Sequence, residues 1–216
     1  MCYMNVSTIQ VLIDKYTEFN YIFERTYFKK VIQYGIINGS NTIVFIKPGQ
    51  DGTLVGYKDK YYNLAKYINK KYGYTVICSN NPYDKIHDPL IDAMEVIESF
   101  VQHMNYSDYV IYYYGNSNGS VIGASYAHNY PSIKRMLLIN PPLFINFHRL
   151  KDGVENFNGE RIVFVYGELD PSYKFVGLLD LFNQHKLSYY IINGEDHNLS
   201  NGSVRLEDLV DNYLVD

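Results

Sequence analysis

Residues Tyr112–Gly123 read "YYYGNSNGSVIG". An aromatic block runs through Gly115, Asn116, Ser117, Asn118 and Gly119 into small and apolar residues, the pattern of a buried strand that turns abruptly into a helix. Ser117 stands at the centre of that turn, with glycine two positions to either side. So sharp a turn forces its central residue into a strained backbone conformation, and side chains at the flanking positions would collide with it. Gly-x-Ser-x-Gly between a strand and a helix is the setting in which a serine hydroxyl is presented at a strand end for chemistry. The alternative reading of Ser117 is a helix N-cap, whose hydroxyl accepts a backbone N–H bond.

Working outward, the same alternation of strand and helix recurs on both sides. Tyr61, Leu64, Ala65 and Ile68 mark a helix face ended by Gly73, and "YTVICS" (74–79) is a buried strand. Leu90, Ile91, Met94, Ile97 and Val101 form a second face before the strand "YVIYYY" (109–114), and a helix over about 119–130 is stopped by Pro131. Downstream come strands at 136–140, 161–167 and 187–193, with helices predicted near 172–186 and 204–214. Strands separated by helices of this length predict right-handed crossovers and an α/β fold, a three-layer α/β/α sandwich with a mostly parallel central sheet. Ile9, Leu12, Ile13 and Tyr16 fall at helical spacing, which predicts a helical extension over 1–25 packed on the core. The runs Tyr27–Tyr34 and Thr42–Ile46, joined through Asn38-Gly39, read as two neighbouring strands. Residues 141–160 make the longest irregular stretch, a short lid-like loop within one domain spanning 1–216.

Composition narrows the function. The chain has 216 residues, 47% of them apolar and 19% charged, which suits one cored domain. A net charge of −4, with the lysine pairs 29–30 and 70–71 isolated, supplies no basic field for a nucleic-acid backbone. Two cysteines, Cys2 and Cys78, are too few for a disulfide framework, and the N-terminus carries neither a basic signal region nor a membrane span. These features predict a cytoplasmic protein.

In a parallel α/β sheet, ligands gather outside the C-terminal strand ends, where Ser117 lies. A serine needs a base to take its proton and a carboxylate to orient that base. Of the six histidines, His103, His128 and His185 fall in predicted helices, and His87 and His148 flank strands that do not end beside a later acid; His197, in "NGEDHNLSNG", follows the last strand. Asp170, in the loop after "RIVFVYG", is the first choice of acid, with Glu168 as fallback; Asp196 is too near His197 in sequence to reach its ring easily. Asp170 also suits a turn or N-cap role that catalysis does not exclude. Charge developing on a carbonyl oxygen needs preformed donors, for which the Asn118 N–H and, from the turn 47–52, the Gln50 N–H are the candidates; Gly49 and Gly52 equally suit a plain turn.

From "GNSNG", "GELD" and "EDHN", in the order serine, acid, histidine, the chain resembles the α/β-hydrolase family. The resemblance covers Tyr27 to the C-terminus. It implies Ser117 as nucleophile, Asp170 as acid and His197 as base, an acyl-enzyme mechanism on an ester or thioester, and no metal or organic cofactor. The implied partner is a small-molecule ester or acyl substrate; amides, transfer to another acceptor and a non-catalytic binding role on the same scaffold are the alternatives. Where the family often has His-Gly after its third strand, this chain has Pro48-Gly49.

Overall fold

The structure is a computed structural model that describes residues 12–27, 29–82 and 88–215. Cys2, Ile9, Tyr83 and His87 lie outside the described residues. The chain divides into two compact units, Met1–Val110 and Ile111–Asp216.

In the first unit, β1 (Tyr21–Tyr27) and β2 (Lys30–Ile37) form an antiparallel pair, and β3 (Ser40–Lys47) runs parallel to β4 (Tyr74–Ser79). The order is β1-β2-β4-β3, so β2 and β3 are not neighbours. This corrects the hairpin expected at Asn38-Gly39. Neither residue adopts the positive φ that a two-residue hairpin turn requires. Gly39 N instead donates to Thr75 Oγ1 at 3.0 Å and Ser40 N to Gly73 O at 2.7 Å, which carries the chain across the start of β4. β4 is buried along Thr75–Ser79 and needs a partner on each edge; β2 supplies one antiparallel and β3 the other parallel.

Helix α1 (Lys60–Tyr72) buries Tyr61, Leu64, Ala65 and Ile68, the face read from the sequence, and ends at Gly73 in the left-handed region (φ 69°), whose N–H bonds Asn69 O at 2.8 Å. Helix α2 (Ile91–His103) buries Ala93, Val96, Ile97 and Phe100. Of the extension expected over 1–25, the described residues are helical at 12–15, and the alternating run from Tyr21 pairs instead as β1. Tyr16 and Phe19 pack on Tyr62, with ring centroids 5.0 and 5.1 Å away.

The second unit is wholly parallel, in the order β5 (Val110–Asn116), β6 (Ile133–Ile139), β7 (Arg161–Gly167), β8 (Leu187–Ile192). Helix α3 (Asn118–Tyr126) follows β5 and passes into a 3-10 turn at Ala127–Asn129, just before Pro131. The stretch 141–160 is not simply irregular. It contains helix α4 (Phe147–Glu155), which buries Leu150, Gly153 and Val154; Gly153 packs so closely that a Cβ there would lie 2.7 Å from Ser125 O of α3. Residues Tyr173–Leu181 are 3-10 rather than α-helical, and the chain ends through α5 (Leu206–Val210) and a π-helical stretch, Asp211–Val215. The architecture is the mostly parallel, helix-flanked α/β class that the strand–helix alternation predicts. No helix of the described residues is long and apolar enough to cross a membrane.

Candidate active site

The site begins where β5 stops. Ser117 has φ 51° and ψ −118°, outside the regions open to most side chains, an arrangement that costs about 1–3 kcal/mol and persists only where its surroundings enforce it. One bond that does so is Ser117 N to Ile139 O at the end of β6, at 2.7 Å; beside it, a Cβ at Gly115 would lie 2.8 Å from Ser120 N and Cα. Glycine is therefore required at 115. Ser120 secures the same corner, its Oγ donating to Ile139 O at 2.9 Å and its N–H to Ser117 O at 3.0 Å. Ser117 precedes α3, yet its side chain makes no capping bond, so the N-cap role is not taken up by the hydroxyl.

The acid loop leaves β7 at Gly167. Asp170 N donates to Gly167 O at 3.0 Å and Tyr173 N to Asp170 O at 3.0 Å, a tight turn that aims the Asp170 carboxylate inward, where it is 3% exposed. The two oxygens divide two tasks. Oδ1 accepts the Ser172 N–H at 2.6 Å, the turn role read from the sequence, and Oδ2 accepts a hydrogen bond from His197 Nδ1. Burial, the largest influence on this carboxyl, pushes its pKa up, but the bonds from His197 and Ser172 together outweigh it and hold the pKa below its ordinary value. Asp170 is thus an ionised acceptor at neutral pH. That places the neutral ring's proton on Nδ1 and leaves Nε2 with its lone pair.

The loop carrying His197 is braced by its own carboxylates. Glu195, fully buried, accepts the N–H groups of Asn201 at 3.0 Å and Ser203 at 2.5 Å. Asp196 Oδ1 accepts those of Asn198 at 2.9 Å and Ser200 at 3.1 Å, and its Oδ2 accepts the Ser200 hydroxyl at 2.8 Å. Glu168, the fallback acid, accepts the Gly194 N–H at 2.9 Å and makes no bond to His197. A Cβ at Gly167 would lie 2.7 Å from Asp196 O, so glycine there lets the acid and histidine loops meet.

The structure therefore brings Asp170 and His197 into direct contact. No hydrogen bond joins the Ser117 hydroxyl to His197 among the described residues. Asn118 opens α3 directly after Ser117. Gln50 lies in the first unit, exposed in the turn after β3; that turn is held by Asp51 N to Asn81 O at 2.7 Å and by Asn81 Nδ2 to Pro48 O at 2.9 Å. Among the described residues, no cluster of three or more His, Cys, Asp or Glu side chains is placed to hold a metal ion. Cys78 is fully buried in β4 and burial pushes its thiol pKa up, which suits packing rather than nucleophilic attack. Two participants in the loop junction, Glu195 and Asn140, were not singled out by the sequence reading. Their partners are backbone groups brought near only by folding, and no residue pattern signals them.

No protein-family model matches the chain, and no curated protein matches its sequence. Solved structures do resemble it. An alpha-beta serine hydrolase homologue from Coxiella burnetii superposes with a TM-score of 0.69 at 14% identity, over 89% of this chain and 96% of that one. Est1E from Butyrivibrio proteoclasticus gives 0.62 at 12% identity, over 88% and 95% of the two chains. The esterase domain of a Rhodothermus marinus protein gives 0.62 at 13% identity, over 88% and 92%. With the strand succession, the turn at Ser117 and near end-to-end superposition on such structures all in accord, the chain has the α/β-hydrolase fold.

Proposed function

We propose that this chain is a serine hydrolase of the carboxylesterase type, with Ser117 as nucleophile, His197 as general base and Asp170 as the carboxylate that orients the base. The observation that carries the reading is the bond from His197 Nδ1 to the buried Asp170 carboxylate, made by the two loops that follow the last two parallel strands. The strained backbone of Ser117, whose hydroxyl is not spent on capping, supports it further, as do neighbours named as esterases. His197 Nε2 takes the Ser117 proton as Oγ attacks the ester carbonyl carbon. The resulting tetrahedral oxyanion is held by the backbone N–H of Asn118, directly after the nucleophile at the start of α3. Collapse breaks the ester C–O bond, and the alcohol departs with the proton carried by His197. Water, deprotonated by His197, then attacks the acyl carbon and releases the acid and Ser117. The ionised Asp170 stabilises the imidazolium in both halves of the cycle.

The test is Ser117→Ala. Hydrolysis of short-chain aryl esters should fall by at least about 10⁴-fold, to the residual level left by binding and oxyanion stabilisation, and labelling by a fluorophosphonate should cease. The melting temperature should not fall. Undiminished turnover in a folded Ser117→Ala protein defeats the assignment.

A further inference from the structure

Asn140 is the residue that follows β6, fully buried and in the left-handed region at φ 47°. Asparagine tolerates that conformation better than most side chains. Its backbone N–H bonds Val165 O of β7 at 2.8 Å. Its side-chain amide is engaged at both ends: Oδ1 accepts the Gly167 N–H at 2.9 Å, while Nδ2 donates to Asp196 O at 3.2 Å and His197 O at 2.9 Å. One buried amide thus joins two strand ends and a loop: its own strand, the point where the acid loop leaves β7, and the backbone at His197 itself.

We infer that Asn140 is a positioning residue that holds the His197 loop at the depth and angle its ring needs to meet Asp170. The inference rests on the triad reading above. The chemistry of the amide makes the position selective. It faces two carbonyl oxygens, which need donors, and one N–H, which needs an acceptor; an amide of this length satisfies all three. A carboxylate at 140 keeps the acceptor and the volume but turns oxygen toward oxygen at His197 and Asp196. An alanine removes the partner of the Gly167 N–H and of the His197 carbonyl, and leaves Asp196 O with the Leu199 N–H alone, at 3.2 Å. Either change frees the backbone at His197 itself, while Leu169 N to Glu195 O at 2.9 Å still ties the base of the loop to the acid loop. Gly167, where a Cβ would crowd Asp196 O, serves the same junction.

The experiment compares Asn140→Ala and Asn140→Asp with the unaltered chain. One readout needs no catalysis: the downfield proton NMR resonance of the His197 Nδ1–H, assigned by its loss in His197→Gln. It should be present in the unaltered protein and shifted or broadened in both variants. On a short-chain aryl ester, kcat should fall about 100-fold in both variants while KM stays within about twofold, because misplacing a base costs rate rather than ground-state binding. Asn140→Asp matching Asn140→Ala assigns the effect to the lost donors rather than to a void. A folded Asn140→Asp protein with normal kcat and an unmoved resonance overturns the inference. If neither variant folds, solvent exchange decides: the Asn140 Nδ2 protons and the Gly167 amide should both be strongly protected in the unaltered protein, and rapid exchange of the Nδ2 protons overturns the inference. Failure of the hydrolase reading looks different, namely full activity in Ser117→Ala with the His197 resonance still dependent on Asn140.

Discussion

At Asp170 two opposing influences meet on one carboxyl. Burial raises the cost of its charge, and hydrogen bonds from His197 and Ser172 more than offset that cost, leaving the native pKa below its ordinary value. Because the native value lies below the unfolded one of about 3.9, ionised Asp170 stabilises the fold above that pH, and its contribution disappears as pH falls through the native value. Asp170→Asn should therefore flatten the acid limb of a plot of melting temperature against pH below about pH 4, and should lower ester turnover about 10⁴-fold by disturbing the tautomer of His197. Parallel acid limbs for the two proteins would show that this carboxylate carries no such linkage. The turn at Ser117 and the loop at Asp170 are legible in sequence because each is announced by its own neighbours, the glycines 115 and 119 in one case and the strand end at Gly167 in the other. Asn140 was read only as the last residue of a strand, since three distant backbone groups define its role.

Among elements, the local signals held where an element meets its own capping residues and gave way where neighbours compete. Helix α1 keeps its expected apolar face and its Gly73 terminus. The Asn38-Gly39 hairpin does not form, because β4 takes the position beside β2 and buries more surface than a two-stranded ribbon would. The stretch 141–160 holds a helix that packs on α3 and buries Leu150 and Val154. Gly153 makes that approach possible, and Gly153→Ala should destabilise the protein by about 1–3 kcal/mol through overpacking against the α3 carbonyls. The matched control is Gly177→Ala, where nothing lies within 4 Å of the added Cβ and the change should be neutral or stabilising by up to about 1 kcal/mol. Denaturant midpoints measure both; equal midpoints for the two variants would contradict the close α3–α4 packing.

Over the whole molecule, 24 tyrosines and no tryptophan make phenol burial a dominant feature. Tyr34, Tyr113 and Tyr166 are fully buried; their hydroxyls donate to Asp92, to Gly119 O at 2.7 Å and to Pro141 O at 3.1 Å, and burial drives their pKa values well up. A pKa higher in the native than in the unfolded chain adds stability that is complete below about pH 10 and lost as pH rises through the native values. Alkaline titration followed by tyrosinate absorbance should therefore end in a separate late step coincident with unfolding by circular dichroism. Ionisation of every tyrosine while the fold persists would contradict the buried phenols. Taken alone, the sequence determined the α/β class, the succession of strands and helices and the order of the serine, acid and histidine motifs, because spacing and capping are properties of adjacent residues. Strand order in the first unit, the helix within 141–160, the union of Asp170 with His197 and the place of Asn140 were decided by tertiary structure. Each of these depends on which buried edge, face or carbonyl a distant segment must satisfy, and that demand arises only once the chain has closed on itself.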